Sequence, residues 1–119
     1  MTAATELVLE HWVEVCEYHD LLPERGAAAL VDGVQVAVFR LANGSLRALD
    51  NLDPCSGAYV LSRGIVGTSG TANSVNTVAS PMHKQRFDLD TGQCLDDDSI
   101  SVPTYPVRLV GESVQLDVS

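Results

Sequence analysis

The chain has 119 residues, 45% of them apolar, and 16 Asp and Glu against 7 Lys and Arg, for a net charge of −9. That length fits one domain with a single modest core, and that charge argues against nucleic acid or an anionic membrane as a partner held by general electrostatics. No apolar run approaches the roughly eighteen residues of a membrane span, the acidic N-terminus lacks the pattern of a secretory leader, and Cys16, Cys55 and Cys94, with no Cys-x-x-Cys pair, point to free thiols in a reducing cytoplasm.

Residues 1–10 read as a loose tail, with 6–10 as a possible edge strand. Residues 12–16, Trp-Val-Glu-Val-Cys, alternate and are rich in β-formers, which predicts a first strand. Residues 18–23 are too short for a full helix; Asp20 starts a single turn, and 24–26 make a bend. The runs 27–31 and 34–40 are joined by Asp32-Gly33, a strong hairpin signal. Asn43-Gly44 is a second such turn, leading into 46–49. Four strands and two-residue turns within the first fifty residues predict an antiparallel meander.

The stretch 51–92 organises the rest. It opens with NLDPCSGAYVLSRG and closes with ASPMHKQRFDLDTG, two loops separated by the polar run TSGTANSVN. Pro54 and Pro81 stiffen the loops, and loops held by a rigid scaffold are where function usually sits. Residues 77–79 and 85–89 are short strand candidates, with a turn at 90–92. Asp96, Asp97 and Asp98 lack the spacing of a calcium loop and read as a solvated turn. Pro103 and Pro106 forbid a central strand between them. Residues 107–110 and 114–118 form a last hairpin across Gly111-Glu112. The class is all-β.

Asp53-Pro54-Cys55-Ser56-Gly57-Ala58 resembles the first ligand loop of a Rieske iron–sulfur domain, which normally reads Cys-Pro-His-x-Gly-Ala. Ser80-Pro81-Met82-His83-Lys84, followed by Phe87-Asp88-Leu89 and Thr91-Gly92, resembles the second, normally Cys-Pro-x-His-Gly. Carried over, the ligand places are Asp53, Cys55, Ser80 and His83, and only His83 keeps the expected residue. From about Trp12 to Val118, strings such as SGAYVLSRGIVG, VASPMHKQ and VPTYPVR resemble the small subunits of assimilatory NAD(P)H-dependent nitrite reductase, a Rieske-like family in which the ligands are largely lost. Cys55, where that family would have an aromatic, and the long 68–76 loop depart from its pattern.

The resemblance implies a Rieske-like antiparallel β-sandwich or barrel over 11–119, with 51–92 as a small inserted two-loop subdomain. It implies a large-subunit partner, with FAD, an iron–sulfur cluster and siroheme all in that partner and none in this chain. It implies a reaction in which NAD(P)H supplies electrons for six-electron reduction of nitrite to ammonium, in nitrate assimilation, with this chain non-catalytic and stabilising or shaping its partner. The alternatives are a stand-alone Rieske-type ferredoxin and a β binding module that reuses the fold.

A Rieske cluster needs two thiolates on one iron and two imidazoles on the other. Serine is too weak an acid and a carboxylate too hard a ligand to replace thiolate readily. With no metal, the resemblance places Asp53 beside Ser80 and Cys55 beside His83, and the pair Asp53–Ser80 is expected to hold the loops together by hydrogen bonds. Cys55 reads as a small apolar filler, or as a reactive thiol if His83 lowers its pKa. His83 reads as a loop histidine or as a relic ligand. Arg63, Lys84 and Arg86 belong to the two loops, with Met82 and Tyr59 beside them. They make either a solubilising surface or a basic docking face for the partner.

Overall fold

Asp32 and Gly33 both adopt positive φ, 50° and 83°, the two-residue geometry that matches the twist of paired strands. This turn sets β2 (Arg25–Val31) against β3 (Val34–Arg40), with Val31 opposite Val34. The computed structural model describes residues 11–69 and 74–119. Besides β2 and β3 it contains β1 (Val13–Glu17), β4 (Leu46–Asp50), β5 (Ile65–Thr68), β6 (Asn76–Ala79), β7 (Arg86–Asp88), β8 (Val107–Val110) and β9 (Ser113–Leu116). Among the described residues these form three antiparallel sheets, ordered β1-β9-β8, β2-β3-β4 and β5-β6-β7. The fold is all-β, and no described helix is long and apolar enough to cross a membrane.

The β2-β3-β4 sheet is the middle layer, because β3 is apolar on both sides. Val36 and Val38 face one core, with Leu21, Val31, Ala48, Val114 and Leu116. Ala37 and Phe39 face a second core, with Leu49, Leu61, Val78, Phe87 and Leu89. A strand buried on both faces reads as a continuous apolar run rather than an alternating one. The first core joins the middle sheet to the β1-β9-β8 sheet. The second joins it to the β5-β6-β7 sheet, from which one of the two loops springs.

The expected four-stranded meander is corrected in one respect: β1 leaves it and pairs with β9, Val13 opposite Leu116. A short 3-10 turn at Tyr18–Asp20 stands between β1 and β2 in place of a hairpin turn, so β1 crosses to the C-terminal hairpin. Arg40 ties that crossing down. Its Nη1 donates to the Leu21 carbonyl at 2.9 Å, and its guanidinium lies 4.4 Å from the Tyr18 ring centre. The expected bend at 24–26 contracts to Glu24, with φ 60°, and Arg25 and Gly26 already belong to β2. The expected two-residue turn at Asn43-Gly44 is longer, since Leu41 N–H donates to the Ser45 carbonyl at 2.8 Å. Strand β5 carries no alternating signal and escaped the sequence reading. The tail 1–10, and residues 70–73 of the polar run, lie outside the described residues.

Gly26 is a point of close approach. A Cβ built there would lie 2.6 Å from both the Phe39 ring and the Ser62 carbonyl oxygen. Gly26→Ala is expected to destabilise the fold by about 1–3 kcal/mol through overpacking. Chemical denaturation would check this; an unchanged midpoint would refute the close packing.

Candidate functional site

The two loops are built as the same turn. In the first, Asp53 N–H donates to the Ala58 carbonyl and Gly57 N–H to the Asp53 carbonyl, both at 2.8 Å. In the second, Ser80 N–H donates to the Gln85 carbonyl and Lys84 N–H to the Ser80 carbonyl, both at 2.9 Å. In each, the first side chain also caps the turn. Asp53 Oδ1 accepts from Cys55 N–H at 2.9 Å, and Ser80 Oγ accepts from Met82 N–H at 3.2 Å. The fifth residue needs positive φ, which Gly57 adopts at 77° and Lys84 at 61°. A third copy follows β7: Asp88 and Gly92 exchange the same bonds with their turn, and Asp88 Oδ1 accepts from Asp90 N–H at 2.7 Å.

The two capping side chains meet. Ser80 Oγ donates to Asp53 Oδ2 at 2.5 Å, and Asp53 and Ser80 are 0% and 1% exposed. This is the contact the resemblance implies. Burial pushes the Asp53 carboxyl up, but hydrogen bonds from the Ser80 hydroxyl, Cys55 N–H and Ser56 outweigh it and hold the group below its ordinary value. Asn51 anchors the base of the first loop from a buried position. Its Nδ2 donates to the Tyr59 carbonyl at 3.2 Å, and its Oδ1 accepts from Ser62 N–H at 2.7 Å.

The other expected residues fall differently. Cys55 is half-buried, and among the described residues no hydrogen bond links it to His83, which is exposed. Burial, then the negative charges of Asp53 and Asp97, push the Cys55 thiol up. That direction is opposite to the lowering by His83 on which the reactive-thiol reading depends. Arg63, Lys84 and Arg86 are exposed, as is Met82, but they do not form a plain basic face. Arg86 Nη2 lies 3.0 Å from Asp96 Oδ1, and Arg86 N–H donates to Asp96 Oδ2 at 2.8 Å. The aspartate run is therefore part of this surface and offsets its charge. Lys84 has no ion pair among the described residues.

Sequence reading missed Asn51, Asp88 and Asp96. A signal for the first two exists: an Asn or Asp ahead of a loop accepts from backbone N–H groups further along. Asp96 carries no such signal, because its partner lies ten residues back across a turn. Cys94, read only as a buried thiol, is buried and close enough to influence Cys55.

The residues at the loop tips do not fit a [2Fe–2S] cluster. The two positions for thiolates hold Asp53 and Ser80, which are bonded to each other. Of the two positions for imidazoles, one holds Cys55 and the other the exposed His83. Such a cluster needs two thiolates and two imidazoles.

Comparison with known proteins gives a consistent picture. Residues 11–117 match the model of a family described as the Rieske-like [2Fe-2S] domain. The nitrite reductase (NADH) small subunit of Escherichia coli K12 is 38% identical over 109 residues, covering 91% of this chain and 98% of that protein. A crystal structure of a Mycobacterium tuberculosis protein, described as an NADH-dependent nitrite reductase small subunit, superposes with a TM-score of 0.87 at 47% identity, covering 93% of this chain and 97% of that one. A nitrite reductase [NAD(P)H] large subunit of Klebsiella oxytoca is 36% identical over 98 residues, which is 82% of this chain and 10% of that protein.

Replacing Asp53 by Ala is expected to destabilise the fold by about 1–3 kcal/mol, because it orphans the Ser80 hydroxyl and the Cys55 N–H. The pH dependence has a definite sign. A carboxyl lowered by folding stabilises the protein fully above its unfolded pKa of about 3.9, and less as pH falls toward the folded value. The stability difference between wild type and Asp53→Asn should therefore be flat above about pH 5 and shrink below about pH 4. Urea denaturation across that range would check it; a difference that stays flat below pH 4 would mean that Asp53 is not held ionised.

Proposed function

The chain belongs to the Rieske-like [2Fe–2S] domain family and is homologous along its length to the small subunits of NAD(P)H nitrite reductase, and from that premise we propose that it serves this oxidoreductase as a non-catalytic subunit that stabilises or shapes the large subunit. The observation that carries the non-catalytic role is the closed Asp53–Ser80 pair, where the family's fold would otherwise present metal ligands. In this reading the large subunit holds FAD, an iron–sulfur cluster and siroheme and reduces nitrite to ammonium with NAD(P)H. The small subunit works with it in the cytoplasm, in nitrate assimilation. A stand-alone ferredoxin would require a cluster that these side chains do not suit.

Docking is assigned to the loop tips, with Lys84 and Met82 as contacts and Arg63 and Arg86 beside them. Lys84 supports this choice. It holds φ 61°, where the matching positions of the other two copies carry Gly57 and Gly92, and a left-handed non-glycine residue costs about 1–2 kcal/mol. Backbone strain retained at an exposed loop tip is a mark of function. Arg86, already neutralised by Asp96, contributes less.

Purified alone, the chain is expected to be colourless and to leave nitrite unreduced; produced together with a siroheme-containing large subunit, it is expected to co-purify with it. A brown preparation with stoichiometric iron and sulfide would overturn the reading. Lys84→Gly should stabilise the isolated chain by about 1 kcal/mol while weakening association with the large subunit and flattening its salt dependence. Thermal melts and binding titrations at two salt concentrations separate these effects; unchanged binding would remove Lys84 from the interface.

A further inference from the structure

We propose that the open edge of β2 takes up an extended, uncharged segment of the nitrite reductase large subunit as an added strand, an inference that rests on the small-subunit reading above. The edge follows from hydrogen-bond parity. In a two-residue hairpin the closing pair, here Val31–Val34, exchanges both bonds, so Val31, Ala29 and Ala27 bond to β3. Ala28 and Leu30 therefore turn their N–H and C=O groups away from the sheet. Neither N–H has a backbone partner among the described residues, and β2 has no neighbour but β3 in its sheet. At Gly26 the Ser62 carbonyl packs against the Phe39 face of the sheet rather than its edge, and the bare edge runs from Ala27 to Val31.

Exposed edges are usually guarded by lysine, proline, a bulge or a covering loop. Here the residues between Arg25 and Asp32 are Gly-Ala-Ala-Ala-Leu-Val, with no charge, and Ala27, Ala28 and Leu30 are exposed, Leu30 to 72%. Strand addition draws affinity from main-chain bonds and specificity from pockets for alternate side chains. Leu30 also borders a cavity on its β3 side, of about 270 Å³ and lined also by Val34, Gln35, Asp50, Leu52 and Tyr59.

The occupant is argued from two further facts. The cavity runs from β2 to Leu52 and Tyr59 in the first loop, so the edge is continuous with the docking face already assigned. And in the Klebsiella oxytoca large subunit a domain like this one makes up about a tenth of the same chain, so the remainder of a large subunit is the partner at hand.

The test uses the large subunit purified with its bound groups, titrated against wild-type chain, Ala28→Pro and Leu30→Lys. Proline at Ala28 removes an outward donor and no bond to β3, and Leu30→Lys leaves the backbone untouched, so at least one variant keeps the fold, as thermal melts would confirm. Each folded variant should bind about tenfold more weakly, and hydrogen exchange at the Ala28 and Leu30 amides of the wild type should slow in the complex. Wild-type binding with both variants unimpaired would overturn the strand and leave the small-subunit reading standing. Failure of the wild type to bind would overturn both. A wild-type homodimer broken by Leu30→Lys, with large-subunit binding unchanged, would assign the edge to a second copy and overturn this proposal.

Discussion

Val36, Ala37, Val38 and Phe39 are all at or below 1% exposed, so β3 buries both of its faces and the rest of the molecule is arranged to cover them. Each large apolar side chain taken from water contributes about 1.5–3 kcal/mol. A middle strand with three such residues and an alanine in a row, turned to both faces, therefore demands a layer on either side. The β1-β9-β8 sheet covers one face through Val114 and Leu116. The β5-β6-β7 sheet covers the other through Val78 and Phe87. The first loop, which leaves β4, and the second, which links β6 to β7, start from opposite sides of that second core. Their tips meet because the core beneath them is packed.

Once placed there, the loops need little else. Each is closed by two backbone bonds and capped by its own first side chain, and the two caps bond to each other. In a cluster-bearing relative of this fold a metal group would join such tips. Here a carboxylate and a hydroxyl join them, excluded from water and fully partnered, which is the condition for buried polar groups to be tolerated. The result is a pair of loop tips joined by a side-chain hydrogen bond in place of metal ligands.

Around that tip Arg47 is paired with Asp90 and Arg86 with Asp96, while Arg63, and Lys84 beside exposed Met82, have no ion pair among the described residues. Contact surfaces of this kind tend to depend on a few anchors, with the surrounding groups serving complementarity. The uncharged edge of β2 and the notch beside Tyr59 extend the same surface down one side of the molecule.

Much of this was legible in the residues. Asp32-Gly33 and Gly111-Glu112 announce their hairpins through local backbone preference, the apolar run at 34–40 announces a strand, and the two proline-bearing loops announce the family. These are short-range properties, set within a few residues. The ligand chemistry was legible too, since Asp53 and Ser80 cannot supply thiolates wherever they lie. Three things were decided only in three dimensions. The departure of β1 to β9 depends on which apolar face lacks a cover, a question about the whole core. The neutralisation of Arg86 depends on Asp96 being folded back against it. The open edge of β2 depends on no other described strand reaching it. Sequence determines what each segment can form and what each side chain can do chemically; packing alone determines which segments meet, because burial is shared among residues far apart in the chain.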